Sequence, residues 1–297
     1  MKPLTFALED IRMNLRGLNT ARRVALAGGI LAALTLAAPA LAANAPTTAS
    51  DEMRLFQQFF TDAAMASQWW EGQLRLQWGT GPRDQQADGF QLGGVLAVSP
   101  WKKVEVGGRF AYANYNLDNS VRTQNGNTID SESGATDLDL FGKYRVLDGD
   151  IKVAVGGELT LPTGSENDGL GTGEVVPAVF GAVRSDLSSS KTGAFTGVAH
   201  LGFRFNGDPT ILGVELNGKT SIFLGAGVLV RLKKNFGWSG ELTIESQRYD
   251  HSDSDIRATG GVHWDLTEHQ MLRGAAAVGL SDEATGFELI GSYVYHF

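Results

Sequence analysis

Charged side chains recur at every second position along much of this 297-residue chain, opposite faces rich in leucine, valine and glycine. Because successive side chains of a strand point to opposite faces, this spacing predicts strands with one charged and one apolar face. Rings of one charge sign could select ions, but nine basic and nine acidic side chains share this face, which favours mutual pairing. The positions expected to line an interior are Arg75, Arg109, Asp139, Lys143, Arg145, Glu158, Arg204, Arg231, Glu241, Glu245, Arg257, Asp265 and Arg273.

Five histidines and no cysteine limit the covalent chemistry available to the chain. His200, His263 and His296 fall on the charged face, His251 falls in a loop and His269 in a turn. Nucleophilic catalysis needs a base within hydrogen-bond reach of the nucleophile, and no motif here marks a nucleophile. A lipid-modifying enzyme would need such a pair near lipid, so we do not expect catalytic residues.

The charge balance makes several binding functions improbable. The net charge is −8, and loss of residues 1–42 would remove five basic and two acidic residues and bring it to −11. Such an acidic chain is a poor partner for nucleic acid. The acidic loop 250–255 fits no recognised calcium-binding loop, so solvated charge is the expected role. We therefore expect no metal and no cofactor.

The hairpin 137–164 shows most plainly how the chain positions these residues. Leu138, Leu140, Gly142, Tyr144 and Val146 alternate with charged neighbours, and an Asp-Gly turn follows before the alternation resumes. Each strand runs about ten residues, which is what a tilted strand needs to cross a bilayer. A hairpin of a soluble sandwich with one wet face is the alternative for this stretch alone.

The same alternation predicts twelve strands between residues 68 and 297. The predicted connections after even-numbered strands are short, about three to five residues except for one near nine. The others are longer, and the longest is the polar segment 114–135. Short turns at one end and long loops at the other are typical of outer-membrane barrels. We therefore predict an all-β fold, a twelve-stranded antiparallel transmembrane β-barrel with a short N-terminal helix.

The apolar face carries the features of a membrane surface. Aromatic side chains cluster near strand ends there, as in the girdles at the two water interfaces; they are Trp70, Trp78, Tyr112, Trp238, Trp264 and Tyr295. The last strand ends in Phe297 with aromatics at alternate positions before it, which resembles the signal read by the bacterial barrel-assembly machinery. We expect this machinery, outer-membrane lipid and lipopolysaccharide as partners, and the bacterial outer membrane as the location.

Residues 1–42 have the composition of a signal peptide, and residues 43–67 form a leader and short amphipathic segment before the barrel at 68–297. A basic region, an apolar run at 24–38 and the sequence Ala40-Leu41-Ala42 predict cleavage before Ala43. Apolar residues at helical spacing predict a helix over Asp51–Ala66. Packing of this helix on the rest of the protein is the simpler expectation, and a plug in the barrel mouth or a surface helix is the alternative.

Three stretches resemble the outer-membrane family described as the putative MetA pathway of phenol degradation. They are Thr136-Asp137-Leu138-Asp139 through Arg145, the Leu-Pro-Thr-Gly sequence 161–164 with Gly-Thr-Gly at 171–173, and 225–231 with Glu241-Leu242 after it. The resemblance spans most of the predicted barrel. It implies a transporter or channel role associated with aromatic-compound pathways, and it implies no catalytic residues.

These patterns lead to a functional prediction. We expect a passive channel or transporter that admits small apolar or aromatic molecules, with a small-molecule solute as its partner and access controlled by the long loops 114–135 and 162–173. Twelve strands give a barrel between the eight-stranded kind, which its own side chains fill, and the wide porins. A structural or adhesive barrel without transport is the alternative, and a lipid-modifying barrel enzyme is a more distant one.

Overall fold

The computed structural model describes residues 53–58, 60–65, 68–80, 87–122, 128–190, 193–233 and 235–296. Every regular element within these residues is a strand. The strands are β1 (Gln68–Thr80), β2 (Ala87–Trp101), β3 (Val104–Arg122), β4 (Thr128–Ala135), β5 (Leu138–Leu147), β6 (Ile151–Leu161), β7 (Val176–Ser190), β8 (Gly193–Phe205), β9 (Thr210–Ile211), β10 (Val214–Glu215), β11 (Thr220–Lys233), β12 (Phe236–Glu245), β13 (Asp255–Asp265), β14 (Gln270–Gly279) and β15 (Phe287–His296). The predicted signal peptide and Phe297 lie outside the described residues.

The main sheet closes on itself to form a barrel. Strand β1 is hydrogen-bonded to β2 on one side and to β15 on the other. Strand β3 pairs first with β5 and then with β4, so β4 and β5 form one wall strand interrupted at Thr136 and Asp137. With this pair counted once, twelve antiparallel strands form the wall, which confirms the predicted fold class. The small hairpin of β9 and β10 lies outside the barrel sheet.

Large apolar side chains cover the outer surface of the barrel. Leu140 on β5 pairs with Leu159 on β6, and both side chains are exposed on the outside. Trp70, Tyr112 and Trp264 are exposed as the predicted girdle requires, whereas Trp238 is buried in a cluster with neighbouring apolar residues. Closure pairs the backbone groups of every wall strand, which a lipid environment demands. No helix in the described part of the chain is long and apolar enough to cross a membrane.

The two ends of the barrel differ in their connections. One end has short turns, such as 102–103, 148–150 and 266–269. The turn 148–150 contains Gly149 with φ of 153°, a conformation that favours glycine. The other end carries loops 162–175, 206–219 and 246–254. In bacterial outer-membrane barrels the short turns face the periplasm and the long loops face outward.

Two predicted connections are wrong. The polar segment 114–135 is mostly strand, because β3 continues to Arg122 and β4 begins at Thr128. The two strands pair with each other, so their backbone bonds are satisfied without an apolar face, and the pattern carries no hydrophobic alternation to reveal them. The nine-residue connection after the sixth strand shrinks to residues 191–192, because β7 and β8 also extend past the alternating region.

The segment before β1 lies inside the barrel and is not a helix. We call residues 53–58 and 60–65 the plug segment; they form bends and turns. The predicted helix is therefore wrong over these residues, and the rest of Asp51–Ala66 lies outside the described residues. Met53, Leu55, Phe56 and Ala64 of the predicted apolar stripe are buried in the interior. Their backbone groups bond to side chains of the wall, which replaces the bonds that a helix would make internally.

Candidate functional site

A cavity of about 750 Å³ occupies the long-loop half of the barrel interior. Its lining includes Gln77 and Tyr115, which lie toward the long-loop ends of β1 and β3, and residues of loop 162–175. The plug segment forms its floor through Phe56, Gln57, Phe60 and Thr61. Small-molecule sites have volumes of about 300–1,000 Å³, so the cavity has the size of a small-molecule site that is closed from below.

The plug segment is held through its backbone by charged side chains of the wall. The backbone N–H groups of Phe56 and Gln57 donate to the Glu241 carboxylate, at 2.8 Å to Oε1 from Phe56. Arg273 donates to the carbonyl oxygens of Arg54 and Leu55 at 3.0 and 3.1 Å. These bonds satisfy polar groups that would otherwise be buried without partners.

Further wall cations hold the second half of the plug segment. Lys143 Nζ donates to the Asp62 carbonyl oxygen at 2.5 Å, and the Arg145 guanidinium donates to the Ala63 carbonyl oxygen at 3.0 Å. The Arg184 guanidinium donates to the Met53 carbonyl oxygen at 3.2 Å. Backbone carbonyls from both halves of the segment are therefore fixed to the wall.

Ion pairs between fully buried groups reinforce this attachment. Arg54 and Glu105 pair at 2.6 Å with both side chains at 0% exposure, and Lys143 pairs with the same carboxylate at 2.9 Å. Asp62 pairs with Arg184 at 2.9 Å. Removal of one partner of such a pair leaves an uncompensated buried charge, at a cost of about 3–5 kcal/mol. The arrangement therefore holds the plug segment in one position.

The plug segment also packs against an apolar side of the lumen. Phe60 stacks on Phe141, with ring centroids 4.3 Å apart. Ala63 lies in a cluster with Phe180 and Phe223. A Cβ on Gly202 would come within 2.2 Å of the Phe223 ring, so that ring lies flat against a glycine of the neighbouring strand. The same lumen therefore presents aromatic rings on one side and charged groups elsewhere.

The thirteen residues predicted to line the interior divide into two groups at the plug segment. Eight line the cavity: Arg75, Arg109, Asp139, Glu158, Arg204, Glu245, Arg257 and Arg273. The other five are Lys143, Arg145, Arg231, Glu241 and Asp265. Of these, Lys143, Arg145 and Glu241 hold the plug segment, while Arg231 pairs with Asp265 at 2.5 Å near the short turns. Only the cavity group can meet a solute that enters from the loop side while the plug segment is in place.

The cavity wall is electrically balanced. Six arginines and six carboxylates line it. Arg204 bonds both oxygens of Glu245 and one oxygen of Glu158. Arg109 pairs with Asp139 at 2.6 Å. Because the charges are paired locally, the wall has no ring of one sign that would select ions strongly.

Loop 162–175 is fastened to the wall by one carboxylate. Asp137 accepts hydrogen bonds from the Gly164 N–H at 3.0 Å, the Thr172 N–H at 2.8 Å and the Thr172 hydroxyl at 3.0 Å. A Cβ on Gly171 would lie 2.4 Å from the Asp137 carboxylate, so only glycine fits there. Residues 169–172 consequently line the cavity, with Leu170 buried among them.

The histidines on the charged face contact the interior. The Thr61 hydroxyl of the plug segment and His200 Nδ1 lie 2.7 Å apart. His263 Nε2 lies 3.2 Å from Ser239 Oγ, but this pair is buried, and the His263 ring lies 5.3 Å from the Phe56 ring of the plug segment. Among the described residues, no group of three or more His, Asp or Glu side chains could hold a metal ion.

Several important residues were not among the thirteen predicted positions. Arg54 and Asp62 belong to the plug segment, and their buried partners are Glu105 and Arg184. Two charges inside an otherwise apolar stripe were the available signal, because a charge in such a place needs a partner. The sequence offered no means of telling which wall residue each charge would meet.

The closed barrel, its apolar outer band and its polar interior define a transmembrane β-barrel of the bacterial outer-membrane class. No family model matches the chain, and no curated protein matches it. The structure is similar to an outer membrane channel from Pseudomonas putida F1, with a TM-score of 0.57 and 13% identity over 78% of this chain and 96% of that one. It is also similar to the beta domain of the Bordetella autotransporter BrkA, with a TM-score of 0.50 and 13% identity over 78% and 100% of the two chains. The KdgM porin matches at a TM-score of 0.46 and 8% identity, over 76% and 99%.

Proposed function

We propose that this barrel is a passive outer-membrane channel or transporter for small apolar or aromatic molecules. The observation that carries the proposal is the cavity of about 750 Å³ on the long-loop side, with aromatic side chains in its floor and wall. The balanced wall charge supports a solute other than a simple ion. The resemblance to the family associated with phenol degradation supports an aromatic one. Nothing is chemically changed, so no cofactor is needed and movement follows the concentration gradient.

The plug segment sets the resistance of this path. It closes the cavity on the side of the short turns, so passage toward the periplasm requires its displacement or a path around it. Phe60 and Thr61 are its residues nearest the aromatic side of the cavity. Loop 162–175 controls access from outside, because it contributes to the cavity lining while anchored at Asp137.

Uptake of a labelled neutral aromatic into proteoliposomes tests the proposal. We expect the full-length protein to exceed a protein-free control, and deletion of residues 51–66 to raise the rate further. Asp62→Ala is a milder variant, because it removes only the ion pair to Arg184 and should loosen the plug segment with the barrel intact. A polar solute of similar size measures selectivity.

If neither the full-length protein nor the variants exceed the control for any aromatic or polar solute, transport is refuted. A structural or adhesive role would then replace it. Heat-modifiability on gels shows that each variant has formed a barrel, which separates loss of transport from loss of folding.

A further inference from the structure

Arg109 presents unused hydrogen-bonding capacity to the cavity. Its Nε and Nη2 both donate to one oxygen, Oδ2 of Asp139, at 3.1 and 2.6 Å. Within the described part of the chain, its Nη1 has no acceptor. The Arg109 side chain is 45% exposed, compared with 21% for Arg204 and 10% for Arg75. The guanidinium therefore offers free N–H donors to a molecule in the cavity.

The neighbouring carboxylates offer less. The other oxygen of Asp139 accepts the Thr160 hydroxyl at 2.8 Å. Both oxygens of Glu245 bond to Arg204, and the Ser221 hydroxyl adds a third bond. Since the acceptors are occupied while a guanidinium edge is free, this part of the wall suits a ligand that accepts hydrogen bonds. A cationic ligand would have to displace an existing partner.

Aromatic side chains lie directly beside these arginines. The Arg109 guanidinium carbon is 5.3 Å from the centre of the Phe60 ring, and that of Arg204 is 5.2 Å from the centre of the Phe223 ring. All four residues line the cavity. A ligand with an anionic oxygen group and a flat apolar body would match both features of this wall, because guanidinium binds carboxylate through paired N–H donors.

We propose that the cavity binds small aromatic carboxylates. The carboxylate accepts hydrogen bonds from the free edge of Arg109, and the ring lies against the aromatic side formed by Phe60 and Phe223. This inference rests on the proposed function and specifies its solute: a monocarboxylate on an aromatic ring, of the size of benzoate.

Titration calorimetry on the full-length protein in nanodiscs tests this site with benzoate and with benzamide, its uncharged analogue. We expect benzoate to bind more tightly than benzamide. Arg109→Gln should weaken benzoate binding by at least about tenfold, because a hydrogen bond to a charged group is lost, and should leave benzamide unchanged. Asp139→Asn should tighten benzoate binding, because it removes the competing carboxylate.

Lys219→Gln is the matched control. Lys219 is also 45% exposed and also pairs with an aspartate, Asp250, at 2.6 Å, but it does not line the cavity. The hydrogen bond and charge of Lys219 lower the pKa of Asp250, so this ion pair is present at neutral pH. Its removal should not change benzoate affinity.

Several results would overturn the inference. Unchanged benzoate affinity in Arg109→Gln would do so, and so would equal weakening by Asp139→Asn, since a purely structural ion pair predicts the same loss from either side. If Arg109→Gln fails to form a barrel, the sign of the Asp139→Asn effect decides. Benzamide binding and neutral aromatic uptake without any preference for benzoate would refute this site alone. Absence of binding and of all uptake would refute the proposed function as well.

Discussion

Replacement of Asp137 by asparagine should release loop 162–175 from the barrel wall. The wild-type carboxylate accepts three hydrogen bonds from the loop, one at Oδ1 and two at Oδ2. Asparagine keeps the shape and one acceptor oxygen, so it can retain the bond from Gly164. Its amide nitrogen cannot accept the two bonds from Thr172.

The size of the effect follows from these bonds. A hydrogen bond to a charged group contributes about 1.5–3 kcal/mol, and contributions in one group are not additive. Asp137 is only partly buried, so we expect a loss of about 1.5–3 kcal/mol for the whole substitution. Since 1.4 kcal/mol is a factor of ten, the open population of the loop should rise about 10- to 100-fold.

Hydrogen exchange measures this directly, because the amides of Gly164 and Thr172 are themselves the donors. Exchange at Thr172 should accelerate by about that factor, and single-channel conductance should increase and become noisier. Asp168→Asn is the control, since it makes the same charge change in the same loop and Asp168 has no hydrogen bond among the described residues. Unchanged exchange at Thr172 in Asp137→Asn, or the same acceleration in Asp168→Asn, would refute the reasoning.

Further predictions concern the wall and the N-terminus. Leu140→Arg should cost about 2–4 kcal/mol in reversible unfolding from lipid vesicles, whereas Leu147→Arg at the end of the same strand should cost about 0–1, because the penalty falls toward the interface; equal costs would contradict the assigned lipid face. Gly202→Ala should destabilise the barrel by about 1–3 kcal/mol through overpacking, while Gly181→Ala, whose Cβ meets nothing within 4 Å, should be neutral in the same assay. Cleavage should occur before Ala43, and an intact 1–42 segment on N-terminal sequencing of the membrane-extracted protein would disprove it.

The wall was predictable because its physics is local. In β5 each residue is inward or outward by parity alone, so Asp139 and Leu140 are assigned correctly without knowledge of any partner. The same parity places all thirteen predicted residues on the inner face. It could not divide them into cavity residues and plug contacts, since that division depends on where the plug segment lies.

The plug segment was mispredicted because its conformation is set by distant partners. Helical spacing of Met53, Phe56 and Phe60 is a local signal, but the bonds that override it come from Glu241 and Arg273, about two hundred positions away in sequence. Three of the motif pieces behind the family resemblance do converge: Asp137, Gly164 and Gly171 meet at the loop anchor. A motif can therefore report a tertiary contact that periodicity does not.

The position of the plug segment constrains the order in which the chain can assemble. Gln57 donates to Glu288 on the last strand, 231 positions later, and β15 closes the wall against β1, which directly follows the segment. Contacts of such long sequence separation form slowly, because a large loop must close first. Closure of the wall therefore encloses the segment in the same late event that seals the barrel. A barrel that sealed without it would have to reopen between β1 and β15, or admit the segment through one end, so early mispositioning of these few residues would persist as a kinetic trap.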